Sequence, residues 1–357
     1  MLYSGQADLG AWIESEHRKL PLYPNLGNGY LGGMLGCFAE DDGGEGPTAV
    51  PGVIHVAGVF TGKGTSSHRA ETPGVFSLYP VSAAGSPVAF AGSSLDLATG
   101  VFTNRTKLPG CGAEVVLEQR WYAHRALRNA LVYEVALLPS RADGLAPAAS
   151  CSVTFSGCNG HPTDTVTTVL ANTSDGVIHA LSKTTAAETP STSLVTVGRV
   201  YKQPPPTMAL KPAATEVFLA VLTTSLSEEG GEVASDPLAA AARLYLRHRA
   251  NGTATNSLKQ SHEAAWSELY ASRIELGGAA DDPTATAVAA AVNSSMYYLL
   301  SAAREDWPFS TSPGGLANNA YLLFLSIIPA AYYYRICTPA LHLRRTSTYE
   351  AQMHGQW

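Results

Sequence analysis

Thr215 to Leu222 reads TEVFLAVL, and Asp236-Pro237 follows soon after it, beyond Glu228-Glu229-Gly230-Gly231. The first stretch is a mostly apolar run with β-branched and aromatic members, as expected for a strand buried on both faces. Asp236-Pro237 is a helix start. The Asp carboxylate can accept from the first free amides, and Pro brings a pre-set φ to the first helical position. The period of the chain therefore changes between residues 227 and 236, with β structure before and α structure after.

Upstream, short segments alternate with period two between Gly, Pro, Asn and Ser turns. Cys151-Ser152-Val153-Thr154-Phe155 alternates cleanly, and Ala113 to Leu137 is long enough for two paired strands around a turn at Ala126-Leu127-Arg128-Asn129. No crossover helices separate these strands, so an antiparallel sandwich is expected rather than a doubly wound sheet. Downstream, a helix should run from Pro237 to about Ala250 and stop at Asn251-Gly252. A second fits Leu258 to Ile274, with Trp266, Leu269, Tyr270 and Ile274 on one face. Trp266, the largest apolar side chain on that face, is expected to be buried. Asp282-Pro283 repeats the cap signal, and the third helix, to about Ala303, carries a stripe of Val288, Val292, Met296, Leu299 and Ala303.

Composition narrows the function classes. The 357 residues are enough for two or three domains. A hydrophobic share of 45% and a charged share of 15% describe a globular chain. The net charge is −6 and no basic block stands out, so neither nucleic acid nor an anionic membrane is an expected partner. The Ala320–Ala331 apolar run contains Ser326 and Pro329 and is too short to span a bilayer. Met1 to Asp8 shows no leader-like pattern, which points to the cytoplasm. The five cysteines are odd in number and form no CxxC pair, so neither a disulfide framework nor a zinc site is expected. The sequons at Asn104, Asn172, Asn251 and Asn293 are accordingly read as chance matches.

Cofactor motifs fail on context. Gly27-Asn28-Gly29-Tyr30-Leu31-Gly32 has the GxGxxG spacing, but Pro21-Leu22-Tyr23-Pro24 is a poor strand before it, and Gly33 and Gly36 are poor helix residues after it. Gly62-Lys63-Gly64 lacks the hydroxyl and the first glycine of a phosphate loop. His55, His68, Arg69 and His124 have no metal-ligand spacing and are read as ordinary surface or loop residues. No GxSxG occurs, and no cofactor or metal is expected. Glu305-Asp306 leads into Trp307 and a Gly-, Pro- and Asn-rich loop through Asn318-Asn319, a composition suited to sugars. Trp307, Asn318 and Asn319 are therefore the candidate substrate-binding residues.

Ser312-Pro313-Gly314-Gly315-Leu316-Ala317-Asn318 resembles the entrance to the catalytic barrel of glycoside hydrolase family 65. Other segments follow in the family's order. They are Asn28 to Gly32, Val56 to Gly62 with His68-Arg69-Ala70, Leu95 to Gly100, Tyr122 to Leu127, His262 to Trp266 and Ser295 to Ala302. The likeness is greatest to the branch acting on glucosylgalactosyl-hydroxylysine, with the acid trehalases next. It implies a β super-sandwich over residues 1–230, a helical linker over 231–280 and the first helices of an incomplete (α/α)6 barrel over 281–357. It also implies inverting hydrolysis of an α-glucosidic bond, in glucosylgalactosyl-hydroxylysine or an α-glucobiose such as trehalose. That chemistry needs one carboxylic acid and one carboxylate base.

The chain departs from the family pattern twice. Tyr321 runs directly into Leu322-Leu323-Phe324-Leu325, where the family carries a sugar-subsite segment, and no Asp-Glu-Tyr acid motif occurs. Only 75 residues run from Pro283 to Trp357, whereas a twelve-helix barrel needs roughly 190. The chain thus reads as a shortened family member without catalytic residues of its own. From another class, a non-catalytic carbohydrate-binding or dimerisation sandwich, acting as a homodimer, is the alternative.

Overall fold

The computed structural model describes residues 2–3, 24–35, 52–62, 68–82, 90–108, 115–138, 150–226, 236–251, 257–271 and 282–307, apart from 159, 161, 189–192 and 213, together with 88, 111, 228–229 and 232–233. The first sheet along the chain has four strands, β2 (Asn25–Gly27), β3 (Leu31–Met34), β4 (Val53–Thr61) and β5 (His68–Pro73), paired in sequence order. A three-stranded sheet orders β15 (Thr207–Leu210), β11 (Cys151–Gly157) and β6 (Leu78–Val81). The main sheet has nine strands. Its order is β1 (Leu2–Tyr3), β7 (Phe90–Asp96), β8 (Val101–Leu108), β9 (Val115–Ala123), β10 (Ala130–Leu138), β16 (Thr215–Thr224), β14 (Thr196–Lys202), β13 (Val177–Thr184) and β12 (Thr165–Asn172). A short hairpin, β17 (Glu228–Glu229) with β18 (Glu232–Val233), precedes the helices α1 (Pro237–Asn251), α2 (Ser257–Tyr270) and α3 (Pro283–Ala302). The described strand pairs are antiparallel, so the fold is the β-then-α sandwich expected.

Period-two alternation builds the layers. Leu131, Tyr133 and Val135 of β10 join Leu117 and Trp121 of β9 in the core shared with the small sheets, where Leu31, Ile54, Val56 and Phe76 lie. The intervening Ala130 and Val132 face the other way, against Ala241 and Tyr245 of α1. A strand covered on both sides has no use for polar alternation, and β10 as far as Leu137 and the second half of β16 are buried throughout. The hairpin expected in residues 113–137 forms with Ala123 opposite Leu131.

Both caps form as expected. Asp236 Oδ1 accepts from the Ala239 amide at 3.0 Å, and Asp282 Oδ1 from the Thr284 amide at 2.8 Å. The face of α3 differs from expectation. Ala289, Tyr297 and Ser301 are buried, while Val288 of the apolar stripe is 49% exposed. The sandwich surface is crowded there, and a Cβ added to Gly27 would lie 2.6 Å from the Ser301 carbonyl oxygen. The missing side chain at Gly27 permits that approach, so close packing rather than hydropathy alone sets the helix rotation.

Two readings of single residues need correction. His55, Arg69 and His124 are buried rather than at the surface. Cys111 and Cys151 form a disulfide with their Cα atoms 5.5 Å apart, and Cys158 is also disulfide-bonded. Odd count and motif spacing carry no information about cysteines 40 residues apart that the sheet topology brings together. Among the described residues no helix is long and apolar enough to cross a membrane.

Candidate functional site

The residues singled out around the sugar loop converge where the sandwich meets α2 and α3. The β2–β3 turn starts the convergence. Asn28 Oδ1 accepts from the Tyr30 and Leu31 amides at 2.9 and 2.8 Å, and its amide nitrogen donates to the carbonyls of His124 and Arg128, each at 2.9 Å. One buried Asn thus ties the β2–β3 turn to the β9–β10 turn. Gly29 adopts φ +84°, and its amide donates to the Ser301 carbonyl at 2.8 Å. A Cβ at Gly29 would lie 2.4 Å from the Ala303 carbonyl group, so only glycine fits this turn. The GxGxxG spacing is therefore the geometry of a docking turn between two strands.

Two arginines complete the clamp. Arg125 donates to the carbonyls of Asn28 (2.9 Å), Leu300 (3.1 Å) and Ala303 (3.0 Å). The last turn of α3 leaves such carbonyls without helical partners and carries partial negative charge, so a guanidinium suits it. Arg304 donates to the carbonyls of Asn28 (3.2 Å) and Arg125 (2.7 Å), and it also holds both Asp306 oxygens.

An aromatic ladder runs beneath. Tyr122 stacks on His262 with centroids 4.5 Å apart, and Trp266 lies 5.2 Å from Tyr297. Trp266 is fully buried, as expected, and donates from Nε1 to the Leu97 carbonyl at 2.8 Å. His262 Nδ1 accepts from the Arg125 amide at 3.0 Å, and His124 Nδ1 from the Leu127 amide at 3.1 Å. These contacts need neutral imidazoles. Burial first, then the nearby His124, pushes His262 down to about 3, and burial pushes His124 down to about 4. Neither histidine stood out as functional in the sequence, because the contacts that join them to the junction, His124 with Ser261 and His262 with Arg125, each span 137 residues.

Trp307 closes the junction. Its Nε1 donates to the Ala57 carbonyl at 3.1 Å, Tyr30 meets its ring edge-on at 5.0 Å, and the Arg128 guanidinium lies 5.1 Å above it. It is buried, which makes it an anchor for whatever follows. Asn318 and Asn319 lie outside the described residues.

Among the described residues, two sets of carboxylates lie close to this junction. Glu305 and Asp306 are adjacent and exposed. Partial burial pushes the Asp306 carboxyl up, but the hydrogen bonds and charge of Arg304, with Arg128 adding to them, outweigh it and hold Asp306 below its ordinary range. A group held ionised is a poor general acid. Glu118 and Glu134 are buried, but Arg120 pairs with both, and Tyr122 donates to Glu134 at 2.8 Å. That network staples β9 to β10. Among the described residues no three of His, Cys, Asp and Glu gather as a metal site.

No family model matches the chain. A protein-glucosylgalactosylhydroxylysine glucosidase of Dictyostelium discoideum is 25% identical over 326 residues, covering 84% of this chain and 38% of that protein. The solved structure of a "Putative kojibiose phosphorylase from human microbiome" superposes with a TM-score of 0.49 at 10% identity, over 78% of this chain and 39% of that one. The chain thus spans well under half the length of both. The stretch shared with the Dictyostelium enzyme is the N-terminal part of that protein.

Proposed function

We propose that this chain is the sandwich and barrel-entry part of a glycoside hydrolase. The complete protein would hydrolyse an α-glucosidic bond with inversion, in glucosylgalactosyl-hydroxylysine or an α-glucobiose such as trehalose. The observation that carries the reading is the clamp of Asn28, Gly29, Arg125 and Arg304 on the end of α3, in a chain homologous to a glucosidase. Sugar hydrolysis depends on groups held in fixed positions. This clamp gives the segment after Ala302 a fixed origin on a rigid sheet. Trp307 is packed into the same junction, and Asn318 and Asn319 are assigned to hydrogen-bond sugar hydroxyls. The proposed division of the chain is a sandwich to residue 230, a linker over 231–280 and the start of the helical barrel from 281.

By itself the chain is proposed to be catalytically inactive. Inversion uses two carboxyl groups roughly 6.5–9.5 Å apart across the scissile bond, one of them protonated. Glu305 and Asp306 are sequence neighbours, and Arg304 keeps Asp306 ionised. The test is glucose release from glucosylgalactosyl-hydroxylysine, trehalose, kojibiose and maltose by the purified chain. The expected rate equals that of a Glu305→Ala/Asp306→Ala control. Release reproducibly above that control would show that catalytic groups lie within this chain.

A further inference from the structure

We propose that this chain matures in an oxidising, secretory-type compartment and carries an N-linked glycan on Asn172. Two independent features of the structure support this, and neither depends on the glycosidase reading.

The first is the cysteines. Cys111 precedes β9, and Cys151 opens β11 in another sheet, yet they are bonded with Cα atoms 5.5 Å apart. Cys158, the residue after β11, is disulfide-bonded too. Structural disulfides form and persist in oxidising compartments and are rare in the reducing cytosol. Each bond is made when two thiols lose two electrons and two protons to a protein disulfide, which is itself reduced to a dithiol.

The second is the placement of the sequons. Asn104 is 2% exposed in β8, between β7 and β9, where no glycan fits. Asn293 is half-buried within α3. Asn172, with Thr173 and Ser174 after it, is exposed at the end of β12 where the chain turns back into β13. The turn is well formed. The Thr173 amide donates to the Val177 carbonyl and the Gly176 amide to the Thr173 carbonyl, both at 2.9 Å, and Gly176 takes φ +77°. Arg249 of α1 pairs with Asp175 at 3.0 Å and pins the turn from the other side. The sequon thus stands on an accessible, ordered hairpin tip.

β12 also has a reason to be covered. It is the last strand of the nine-stranded sheet, and Val166, Val169 and Leu170 are 64%, 57% and 55% exposed. An apolar edge strand is a template for unwanted pairing, and proteins blunt such edges. A glycan two residues beyond Leu170 shields this one. Its donor is a lipid-linked diphospho-oligosaccharide. The sugar C1–O bond to phosphate breaks, a C1–Nδ2 bond to Asn172 forms, the amide gives up one proton, and the lipid diphosphate leaves.

The experiment uses the chain purified from its native source, alkylated during lysis without reduction. A cross-linked Cys111–Cys151 peptide is expected. Peptide N-glycosidase in heavy-oxygen water should convert Asn172 to labelled aspartate and increase the gel mobility of the intact chain. Asn172→Gln and Ser174→Ala should each abolish that mobility change, and Ser174→Thr should retain it. The second pair keeps the test valid if Asn172→Gln does not fold. An unmodified Asn172 peptide, alkylated Cys111 and Cys151, or a mobility change surviving Ser174→Ala would overturn the proposal.

Discussion

Replacing Trp266 with alanine removes the centre of the junction. The indole is fully buried, tilted against Tyr297 at 5.2 Å and hydrogen-bonded to the Leu97 carbonyl at 2.8 Å. Removing a fully packed Trp costs about 3–5 kcal/mol through lost transfer free energy and the cavity left behind. The Leu97 carbonyl also loses its donor, and an unmet buried acceptor costs about 1–3 kcal/mol unless water enters. The cavity would open beside Gly100 and Tyr297, where water could reach that carbonyl, so the loss should fall inside the 3–5 kcal/mol range rather than above it. Trp266→Phe keeps most of the packing and loses only the hydrogen bond, and should cost about 1–2 kcal/mol. Urea unfolding followed by circular dichroism gives both values. A loss below about 1 kcal/mol for Trp266→Ala would refute the view that α2 and α3 are held to the sandwich through this residue.

Gly100→Ala should destabilise the chain by more than about 1 kcal/mol in the same assay, because φ is +65° and the new Cβ would lie 2.9 Å from the Trp266 ring. Gly29→Ala should cost more than about 2 kcal/mol and expose the end of α3 to limited proteolysis, since the new Cβ would meet the Ala303 backbone at 2.4 Å. Stability should fall on acidification. His124 and His262 are held at about 4 and 3 by burial, below their unfolded value, so protons bind the unfolded chain more tightly. Their contribution is complete above pH ~6.5 and is lost progressively as pH falls, down to about 4 for His124 and about 3 for His262, a change of a few kcal/mol. A melting temperature flat across that window would contradict neutral, buried imidazoles. Arg125→Met should loosen the end of α3, seen as faster amide exchange at Leu300 to Ala303, because it removes three carbonyl partners.

Local signals in the sequence carried the architecture. Asp236-Pro237 and Asp282-Pro283 act through groups two or three residues away, so both helix starts were legible. The β9–β10 hairpin was legible for the same reason, its strands and turn being contiguous. The burial of Trp266 followed from its size and helical face. The clamp was not legible, because Arg125, Asn28 and Ala303 come together from three distant parts of the chain. The disulfide was hidden in the same way, since cysteine spacing says nothing about loops that two sheets bring into register. The face of α3 was misjudged because its helix is apolar on more than one side, and the deciding factor was the close approach of Ser301 to Gly27. Histidines 55 and 124 read as surface residues because their type is commonly exposed, yet His55 is buried within β4 and His124 is buried against Ser261 and His262 of α2.

The most direct measurement joins residues 1–307 of this chain to the remainder of the Dictyostelium glucosidase. If the clamp of Arg125, Arg304 and Gly29 sets the helical part correctly on the sandwich, the chimera should release glucose from glucosylgalactosyl-hydroxylysine. Introducing Gly29→Ala should then reduce that release. A chimera that unfolds in one cooperative transition, yet releases no glucose, would contradict the assignment of this chain to the sandwich and barrel-entry part of such an enzyme.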